Sequence, residues 1–269
     1  MHAGRPPRDQ GETDVTDHIK TSKAEGVLTL MMDRPDKKNA LTDAMYKVLA
    51  DQLEAAQEDG EVRVILIRGA GEAFTAGNDI GEFAAAAAGG GALGNVVRFI
   101  KALANNDKPL VAAVQGRAVG VGTTMLLHCD HVILADDAQL STPFVSLALV
   151  PEAASSLLLP ARIGHLRAFS MLALGEPVSA GDAVAWGLAN ATVPAAQLGS
   201  AAAEIVQRLA RQPLGALIAT KRLMRDAGTV TAHMDVESAQ FVARLSSPEA
   251  REAFMAFAQR RAPDYTPFR

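Results

Sequence analysis

An α/β fold with a helical C-terminal region is predicted from two observations on the sequence. Over about the first two-thirds of the 269 residues, short apolar runs that suit strands alternate with helical patterns. Beyond about residue 195 the strand-like runs fade and helical patterns dominate. We therefore divide the chain into a polar, disordered tail over residues 1–18, an α/β core over 19–195 and a helical region over 196–269.

Each element of this fold has a local signal. Proline and the residue before it resist continuation of a regular element, so Asp33-Arg34-Pro35 ends the first strand. Thr42 is expected to cap the following helix, whose apolar face begins at Met45. The predicted strands occupy residues 27–32, 62–68, 110–114 and 131–135. The predicted later helices occupy residues 123–129, 201–210, 213–226, 231–245 and 248–261.

The composition excludes several classes of function. The net charge is −4 and aromatic residues make up only 4% of the chain, so the sequence has neither the charge nor the stacking residues of a nucleic-acid-binding surface. No apolar run reaches the roughly 20 residues that a membrane span requires. Cys129 has no second cysteine to pair with, and the polar tail lacks a secretory signal, so we expect a cytoplasmic protein.

Residues 84–92 consist only of alanine and glycine. Alanine favours helix, whereas the three consecutive glycines from Gly89 to Gly91 oppose it. We interpret the segment as a flexible surface loop. The alternative is a mobile lid, because the segment directly follows the loop over residues 74–80, which is a candidate part of a binding site.

Glu152 is the leading candidate for a catalytic residue. It is the single acid in the mostly apolar run over residues 142–156. Burial among apolar side chains raises the pKa of a carboxyl group toward the range that suits a general base. The alternative is a structural role, in which an acid near the start of a helix interacts with the helix dipole.

Two loops upstream of Glu152 are candidates for supplying backbone N–H donors. One is the turn over residues 76–79, in which Gly77 permits close approach and a positive φ angle. The other is Gly120-Val121-Gly122, which precedes an apolar helix, and a helix N-terminus offers unpaired N–H groups. Thr123 and Thr124 stand where a nucleotide P-loop requires Lys and Ser or Thr, so that site is rejected. The alternatives are an ordinary turn and glycines that serve helix packing.

The adjacent residues His128, Cys129, Asp130 and His131 carry metal-ligating side chains. Adjacent residues on a helix point in different directions, and the sequence has no second dense cluster of ligands. We therefore predict a helix end with packed side chains and no metal site.

Taken together and in order, these segments resemble the crotonase (enoyl-CoA hydratase/isomerase) superfamily. The resemblance extends from about residue 19 to residue 261. Its motifs are Asp33-Arg34-Pro35, Lys38-Asn39-Ala40-Leu41, residues 74–80, residues 114–130, residues 142–156, Ala185-Trp186-Gly187-Leu188 and residues 256–261.

The resemblance implies a spiral of ββα turns with a C-terminal helical trimerisation region, and hence a homotrimer or hexamer. It implies an enzyme of fatty-acid metabolism whose substrate is an acyl-CoA thioester, with coenzyme A as part of the substrate and no separate cofactor. The thioester oxygen would lie between the N–H groups of Asn78 and Val121. The residues implied to contact coenzyme A are Lys38, Ala40, Leu41, Ala76, Gly77, Asp79, Ile80 and Gly120. The last helices would reach a neighbouring active site, where Arg260 or Arg261 meets a phosphate of coenzyme A; the alternative is a solvated terminal charge pair.

The acids distinguish the possible activities. Hydratases of the family resemble one another in using two glutamates to activate water, and this chain has Thr124 and Phe144 at the matching positions. Glu152 instead matches the single acid of the peroxisomal-type Δ3-Δ2-enoyl-CoA isomerases. We therefore expect an enoyl-CoA isomerase. Three alternatives remain open: an enoyl-CoA hydratase, another crotonase chemistry such as thioester hydrolysis, and a non-catalytic acyl-CoA-binding protein.

Overall fold

The structure is a computed structural model that describes residues 18–87 and 94–268. Nearly all of the predicted N-terminal tail and the glycine-rich part of the alanine–glycine segment lie outside the described residues. His18, the first described residue, is hydrogen-bonded to the core: its carbonyl oxygen accepts a hydrogen bond of 2.7 Å from the Asp33 amide. In the described ranges no helix has the length and apolar character that a membrane crossing requires.

A six-stranded sheet forms the centre of the fold, and a three-stranded sheet lies beside it. The strands are β1 (Ile19–Ala24), β2 (Val27–Met32), β3 (Val64–Gly69), β4 (Leu110–Val114), β5 (Arg117–Val119), β6 (His131–Ala135), β7 (Gln139–Ser141), β8 (Val178–Ser179) and β9 (Ala191–Val193). The large sheet has the order β1-β2-β3-β4-β6-β9, and all its pairs are parallel except the β1–β2 hairpin. The small sheet has the order β5-β7-β8.

The helices cover the sheet and form the C-terminal region. They are α1 (Asp43–Glu58), α2 (Ile80–Ala87), α3 (Gly94–Ala104), α4 (Val121–Thr124), α5 (Ser155–Ile163), α6 (His165–Phe169), α7 (Ala180–Ala185), α8 (Leu198–Ala210), α9 (Leu214–Met224), α10 (Ala227–Leu245) and α11 (Pro248–Ala258). The predicted cap of α1 is confirmed, because the Thr42 hydroxyl accepts a hydrogen bond of 3.3 Å from the Met45 amide. All four predicted C-terminal helices are present, and the mixed α/β fold is confirmed.

Both faces of the large sheet are buried. On β3, Ile65 and Ile67 pack in the main core with α1 and α3, whereas Val64 and Leu66 pack against α8. Side chains alternate between the two faces of a strand, so burial of both faces requires the continuous apolar run that the sequence shows. The first helix of the predicted oligomerisation region, α8, thus packs on the sheet of its own chain.

Three expectations about local structure require correction. The helix predicted over 123–129 begins earlier, at Val121, because Gly120 with a φ angle of 55° ends the preceding loop; the chain then tightens into a 3-10 helix over Met125–His128. The segment predicted as a loop from residue 84 is helical through Ala87. The strand predicted from residue 62 begins at Val64, because Val62 belongs to a turn closed by Asp59.

The last two helices fold back on their own chain. Phe241 and Leu245 of α10 and Phe254 of α11 are buried in a cluster with Phe83 and Phe144 of the core. These three side chains are therefore buried against apolar partners of their own chain, and the contact of the last helices with a neighbouring subunit stays a prediction. Other apolar residues of the C-terminal helices stay exposed, including Leu223, Met224, Val236 and Phe257.

Candidate active site

The two predicted donor loops lie side by side. Thr75 and Ala118 form a parallel bridge, in which the Thr75 amide donates to the Arg117 carbonyl and the Val119 amide donates to the Thr75 carbonyl, both at 3.1 Å. Gly77 has a φ angle of 85°, and a Cβ atom there would lie 2.6 Å from the Val119 carbonyl oxygen. Only glycine fits this contact, so Gly77 determines how closely the loops approach each other.

The backbone amides of Asn78 and Val121 are available as donors. Leu41 pairs with the residues on both sides of Asn78, donating to the Gly77 carbonyl at 2.8 Å and accepting from the Asp79 amide at 2.9 Å. This alternation directs the amide of Asn78 to the other side of its strand. Val121 is the first residue of α4, where an N–H group has no acceptor within the helix. Within residues 18–87 and 94–268, no protein acceptor binds either amide.

Glu152 lies in the turn before α5 and is 8% exposed. Its Oε1 atom accepts a hydrogen bond of 2.6 Å from the Thr124 hydroxyl. Burial raises the pKa of Glu152 to about 7, the hydrogen bond from Thr124 opposes this rise, and the charge of Glu237 adds to it. A carboxyl group with a pKa near 7 both accepts and returns a proton readily at neutral pH. Thr124 therefore does not act as a second acid. Its hydroxyl group positions the carboxylate of Glu152.

A small cavity of about 50 Å³ connects Glu152 with the first donor loop. Its lining residues are Asn78, Phe83, Val96, Val97, Ile100, Glu152, Ser238, Phe241 and Val242. Glu152 is the one ionisable side chain among these lining residues. The apolar wall comes from α2, α3 and α10, so the C-terminal region of the same chain closes one side of the cavity.

The turn that carries Glu152 has an unusual backbone. Ala153 and Ala154 both adopt left-handed conformations, with φ angles of 59° and 56°. Such conformations cost energy for residues with a Cβ atom, so neighbouring groups must hold them. The ring of His128 is one such group, because its Nε2 atom donates a hydrogen bond of 2.8 Å to the Ala153 carbonyl.

The residues of the rejected metal motif have structural roles. Burial, and then the charge of Arg225, lowers the pKa of His128 to about 3, so its ring is neutral. Its Nδ1 atom accepts from Arg225 while Nε2–H donates to the turn after Glu152. Asp130 accepts from the Leu110 amide at 2.8 Å and from Lys221 at 2.7 Å. In the described part of the chain, no group of three His, Cys, Asp or Glu side chains has the geometry of a metal site.

Tyr46 was not among the predicted site residues. Its hydroxyl group donates a hydrogen bond to the Asn78 side-chain oxygen, and its ring packs on Phe99. Burial, and next the nearby charge of Glu152, raises the pKa of Tyr46 well above its ordinary value. From the sequence, Tyr46 is indistinguishable from a core aromatic residue on the apolar face of α1. Its polar contact depends on a loop that is distant in the chain.

The residues implied to contact coenzyme A lie in neighbouring segments. The Ala76 amide donates to the Lys38 carbonyl at 2.8 Å, which joins the segment over residues 38–41 to the first donor loop. The carboxylate of Asp79 binds Arg34 at 2.8 Å and also accepts from the Gly81 amide at 3.0 Å. Burial opposes ionisation of Asp79, but its hydrogen bonds prevail and its pKa is lowered. Asp79 is thus an ion-paired residue at the start of α2.

The remaining residues of that set differ in accessibility. Lys38 is exposed, Leu41 is buried, and Ile80 packs against the cluster that contains Phe83. Gly120 precedes α4. At the C-terminus, Arg261 forms a two-point ion pair with Glu252, at 2.5 and 2.9 Å, so within this chain its charge is paired as the alternative interpretation expects.

Comparison with known proteins identifies the family of this chain. The family model described as "Enoyl-CoA hydratase/isomerase" matches residues 22–267. A 1,2-epoxyphenylacetyl-CoA isomerase from Escherichia coli is 34% identical over 90% of this chain and 95% of its own length. A 2,3-dehydroadipyl-CoA hydratase from the same organism is 30% identical over 91% of this chain and 96% of its own length.

A solved structure of an enoyl-CoA hydratase/isomerase has a similar fold. The crystal structure of an enoyl-CoA hydratase/isomerase from Pseudoalteromonas atlantica T6c has a TM-score of 0.87 and 37% identity, covering 93% of this chain and 100% of its own. The family model spans most of the chain, and the structural neighbour matches both the core and the C-terminal helices. The chain therefore belongs to the enoyl-CoA hydratase/isomerase family, and its fold is the crotonase fold.

Proposed function

We propose that this protein is an enoyl-CoA isomerase that converts a 3-enoyl-CoA into a 2-enoyl-CoA. The observation that supports this proposal is that Glu152 is the single ionisable side chain lining the cavity among the described residues. Moving a double bond needs one group that removes and returns a proton, whereas the hydratases that this chain resembles use two glutamates to activate water. Thr124 and Phe144 offer no second acid.

The proposed reaction moves one proton and one double bond. The Glu152 carboxylate takes a proton from C2 of the substrate, and the electron pair of that C–H bond shifts toward the thioester oxygen to form a dienolate. The resulting Glu152 carboxylic acid then gives the proton to C4. The double bond moves from C3–C4 to C2–C3, and Glu152 ends ionised as it began. A pKa of about 7 matches both directions of this transfer.

The hydratase is the second candidate function. It is favoured by the relatives, which include a hydratase as well as an isomerase at similar identity. It requires that water be held by groups other than a pair of glutamates. In a third candidate, a non-catalytic acyl-CoA-binding protein, Glu152 would be dispensable.

Parallel assays of one protein preparation test the proposal. We expect a 3-enoyl-CoA to be isomerised faster than a 2-enoyl-CoA of the same chain length is hydrated, because the cavity offers one acid to move a proton. Absorbance of the conjugated thioester follows both reactions, since it rises in the first and falls in the second. Efficient hydration with negligible isomerisation would contradict the proposal.

We further propose that the Asn78 and Val121 amides together bind the thioester oxygen. Charge on this oxygen increases as the proton leaves, so fixed donors stabilise the transition state more than the substrate. The contact of Gly77 with Val119 supports this, because it brings the two loops together. The residues from Lys38 to Leu41 and from Ala76 to Ile80 are then the proposed binding segments for coenzyme A.

Gly77→Ala tests this arrangement. An added Cβ atom would meet the Val119 carbonyl oxygen at 2.6 Å and would require a left-handed alanine, so the donor loops must separate. We expect turnover to fall by about 10²-fold or more, the usual effect of losing one oxyanion donor. Gly199→Ala in α8 is the matched control, because a Cβ atom there has open space. Wild-type turnover in folded Gly77→Ala would refute the arrangement.

A homotrimer or hexamer is the proposed assembly. Leu223, Met224 and Phe257 remain more than half exposed in the single chain, which favours burial against another copy. Light scattering is expected to give at least three times the chain mass of 28.2 kDa; a monomeric mass would contradict this. The cytoplasmic location stays a prediction, which cell fractionation can test.

A further inference from the structure

Glu237 of α10 is a second buried acid close to the candidate base. It is 6% exposed, yet it does not line the cavity. Its carboxylate accepts hydrogen bonds from the Ala154 amide at 2.6 Å, the Ser156 amide at 2.9 Å and the Ser156 hydroxyl at 2.5 Å. The donors belong to Ala154, which precedes α5, and to Ser156, the second residue of α5, so they lie two and four positions after Glu152.

These contacts secure the strained part of the chain. Ala153 and Ala154 are left-handed, and Ala154 has no side-chain oxygen to cap α5. Glu237 supplies the missing acceptor for the first amides of the helix, the role that an N-cap side chain normally has. His128 holds the same turn from the other side through the Ala153 carbonyl. The turn is therefore fixed by two side chains that are distant in the sequence.

We propose that Glu237 is a positioning residue, which holds the left-handed turn that presents Glu152 to the cavity and places a fixed negative charge behind it. The proposal depends on the function proposed above in one respect, which is that Glu152 acts as the base. It assigns a role in the active site to a residue of the C-terminal helical region. The role is indirect, because Glu237 contacts the backbone next to the base and not the cavity.

The same cluster does not form a catalytic triad. Ser156 Oγ lies 2.8 Å from His233 Nε2, which resembles the pairing of a serine nucleophile with its base. In a triad the acid binds the far nitrogen of the histidine ring, Nδ1. Here Glu237 binds the serine itself and lies 3.8 Å from His233 Nε2. The cluster is therefore an anchor for the start of α5.

The charge of Glu237 has a predictable effect on Glu152. The charge that acts on the pKa of Glu152 is that of Glu237 of α10, and the titratable group beside Glu237 is His233. Glu152 in turn raises the pKa of Tyr46 of α1. The Lys101–Asp235 ion pair joins α3 to α10 at 2.6 Å, so those two charges are paired with each other. A negative charge near a carboxyl group favours the protonated form, so Glu237 contributes to the raised pKa of Glu152, second to burial. Removing that charge lowers the pKa of Glu152.

The experiment compares pH profiles of kcat/KM for the wild type, Glu237→Gln, Ser156→Ala and Glu204→Gln. In the wild type, activity is expected to fall as the pH drops below about 7, where Glu152 becomes protonated. In Glu237→Gln, this acidic limb should move to lower pH. Activity at the plateau should fall by about 10- to 100-fold, because the base is less well placed. A uniform loss of activity with an unmoved limb would overturn the charge effect.

Two variants separate charge from other effects. Ser156→Ala removes one donor but keeps the carboxylate, so its acidic limb should stay at the wild-type position. Glu204→Gln removes an exposed acid on α8 that faces Arg208 at 4.0 Å, so it controls for a change in net charge. A limb displaced equally in Ser156→Ala or Glu204→Gln would overturn the assignment to Glu237. The limb is measured on whichever reaction the wild type catalyses, so a hydratase result would reject the isomerase proposal alone.

Hydrogen exchange tests the anchoring without any assay of activity. Glu237→Gln should speed exchange at the amides of residues 154 and 156, and leave the sheet unchanged. If Glu237→Gln does not fold, the double variant Ala154→Gly with Glu237→Gln should restore folded protein, because glycine adopts the left-handed conformation without strain. Unchanged exchange in a folded Glu237→Gln, or a double variant that folds no better than the single one, would overturn the anchoring role.

Discussion

Glu152→Gln is expected to lower turnover by about 10²- to 10⁴-fold, the usual range for loss of a general acid–base group. Glutamine has nearly the same shape and keeps an oxygen that accepts from Thr124. It cannot accept the proton from C2, so the chemical step fails while the walls of the cavity persist. Binding of an acyl-CoA ester, measured by titration calorimetry, should stay within a few-fold of the wild type.

Glu204→Gln is the control for this experiment, since it removes an exposed acid that is not among the cavity-lining residues. Wild-type turnover in Glu152→Gln would place the base elsewhere. Asp79 is then the next candidate, although Arg34 and backbone amides already bind its carboxylate. A protein in which neither the wild type nor Glu152→Gln turned over, yet both bound the ester, would match the non-catalytic alternative.

The second large effect of Glu152→Gln is on stability. The substitution lowers turnover, but it raises the free energy of unfolding at neutral and higher pH. A carboxyl group whose pKa rises from 4.5 to about 7 on folding disfavours the folded state by about 3 kcal/mol once it is ionised. Below pH 4.5 the group is neutral in both states, so there is no cost. Between pH 4.5 and 7 the unfolded chain releases the proton first, so the wild type loses stability as the pH rises. Glutamine has no charge to bury.

Glu152→Gln should therefore be more stable than the wild type at pH 8, by up to about 3 kcal/mol, and close to it at pH 4.5. Urea unfolding of both proteins at pH 4.5, 6, 7 and 8 measures this difference directly. The difference in free energy of unfolding between the two proteins is expected to grow through this range and then to level off. If this difference were the same at every pH, the pKa of Glu152 would not be raised in the folded protein.

Strands with a continuous apolar run could be predicted, and short or polar strands could not. The six-residue strand β2 and the five-residue strands β4 and β6 were found from their apolar runs. The strands β5, β7, β8 and β9 were missed, because two or three residues are too few to show alternation. The six-residue strand β1 was missed because it is mostly polar and exposed. The start of α4 was predicted two residues late, because glycine at position 122 was assigned to the loop although it lies within the helix.

Glu237 illustrates how the site itself was only partly predictable. The buried residues of α10 are Val230, Met234, Glu237, Phe241 and Leu245, which follow one another at intervals of three or four. An acid at a position of this apolar stripe is a signal that the helix buries a carboxylate. The sequence could have identified Glu237 as buried, but not the turn after Glu152 as its partner.

The sequence by itself determined the alternation of strands and helices, the membership of the family and the isolation of Glu152 in an apolar segment, because these are properties of neighbouring residues. Only the tertiary structure decided that Thr124 and Glu237 act on Glu152, that Tyr46 binds Asn78, and that α10 closes the cavity of its own chain. The interactions of Thr124, Tyr46 and Glu237 join residues 28 to 85 positions apart, and the cavity joins residues still further apart in the chain. Their free energy depends on distance and burial in the folded molecule, which no local pattern encodes.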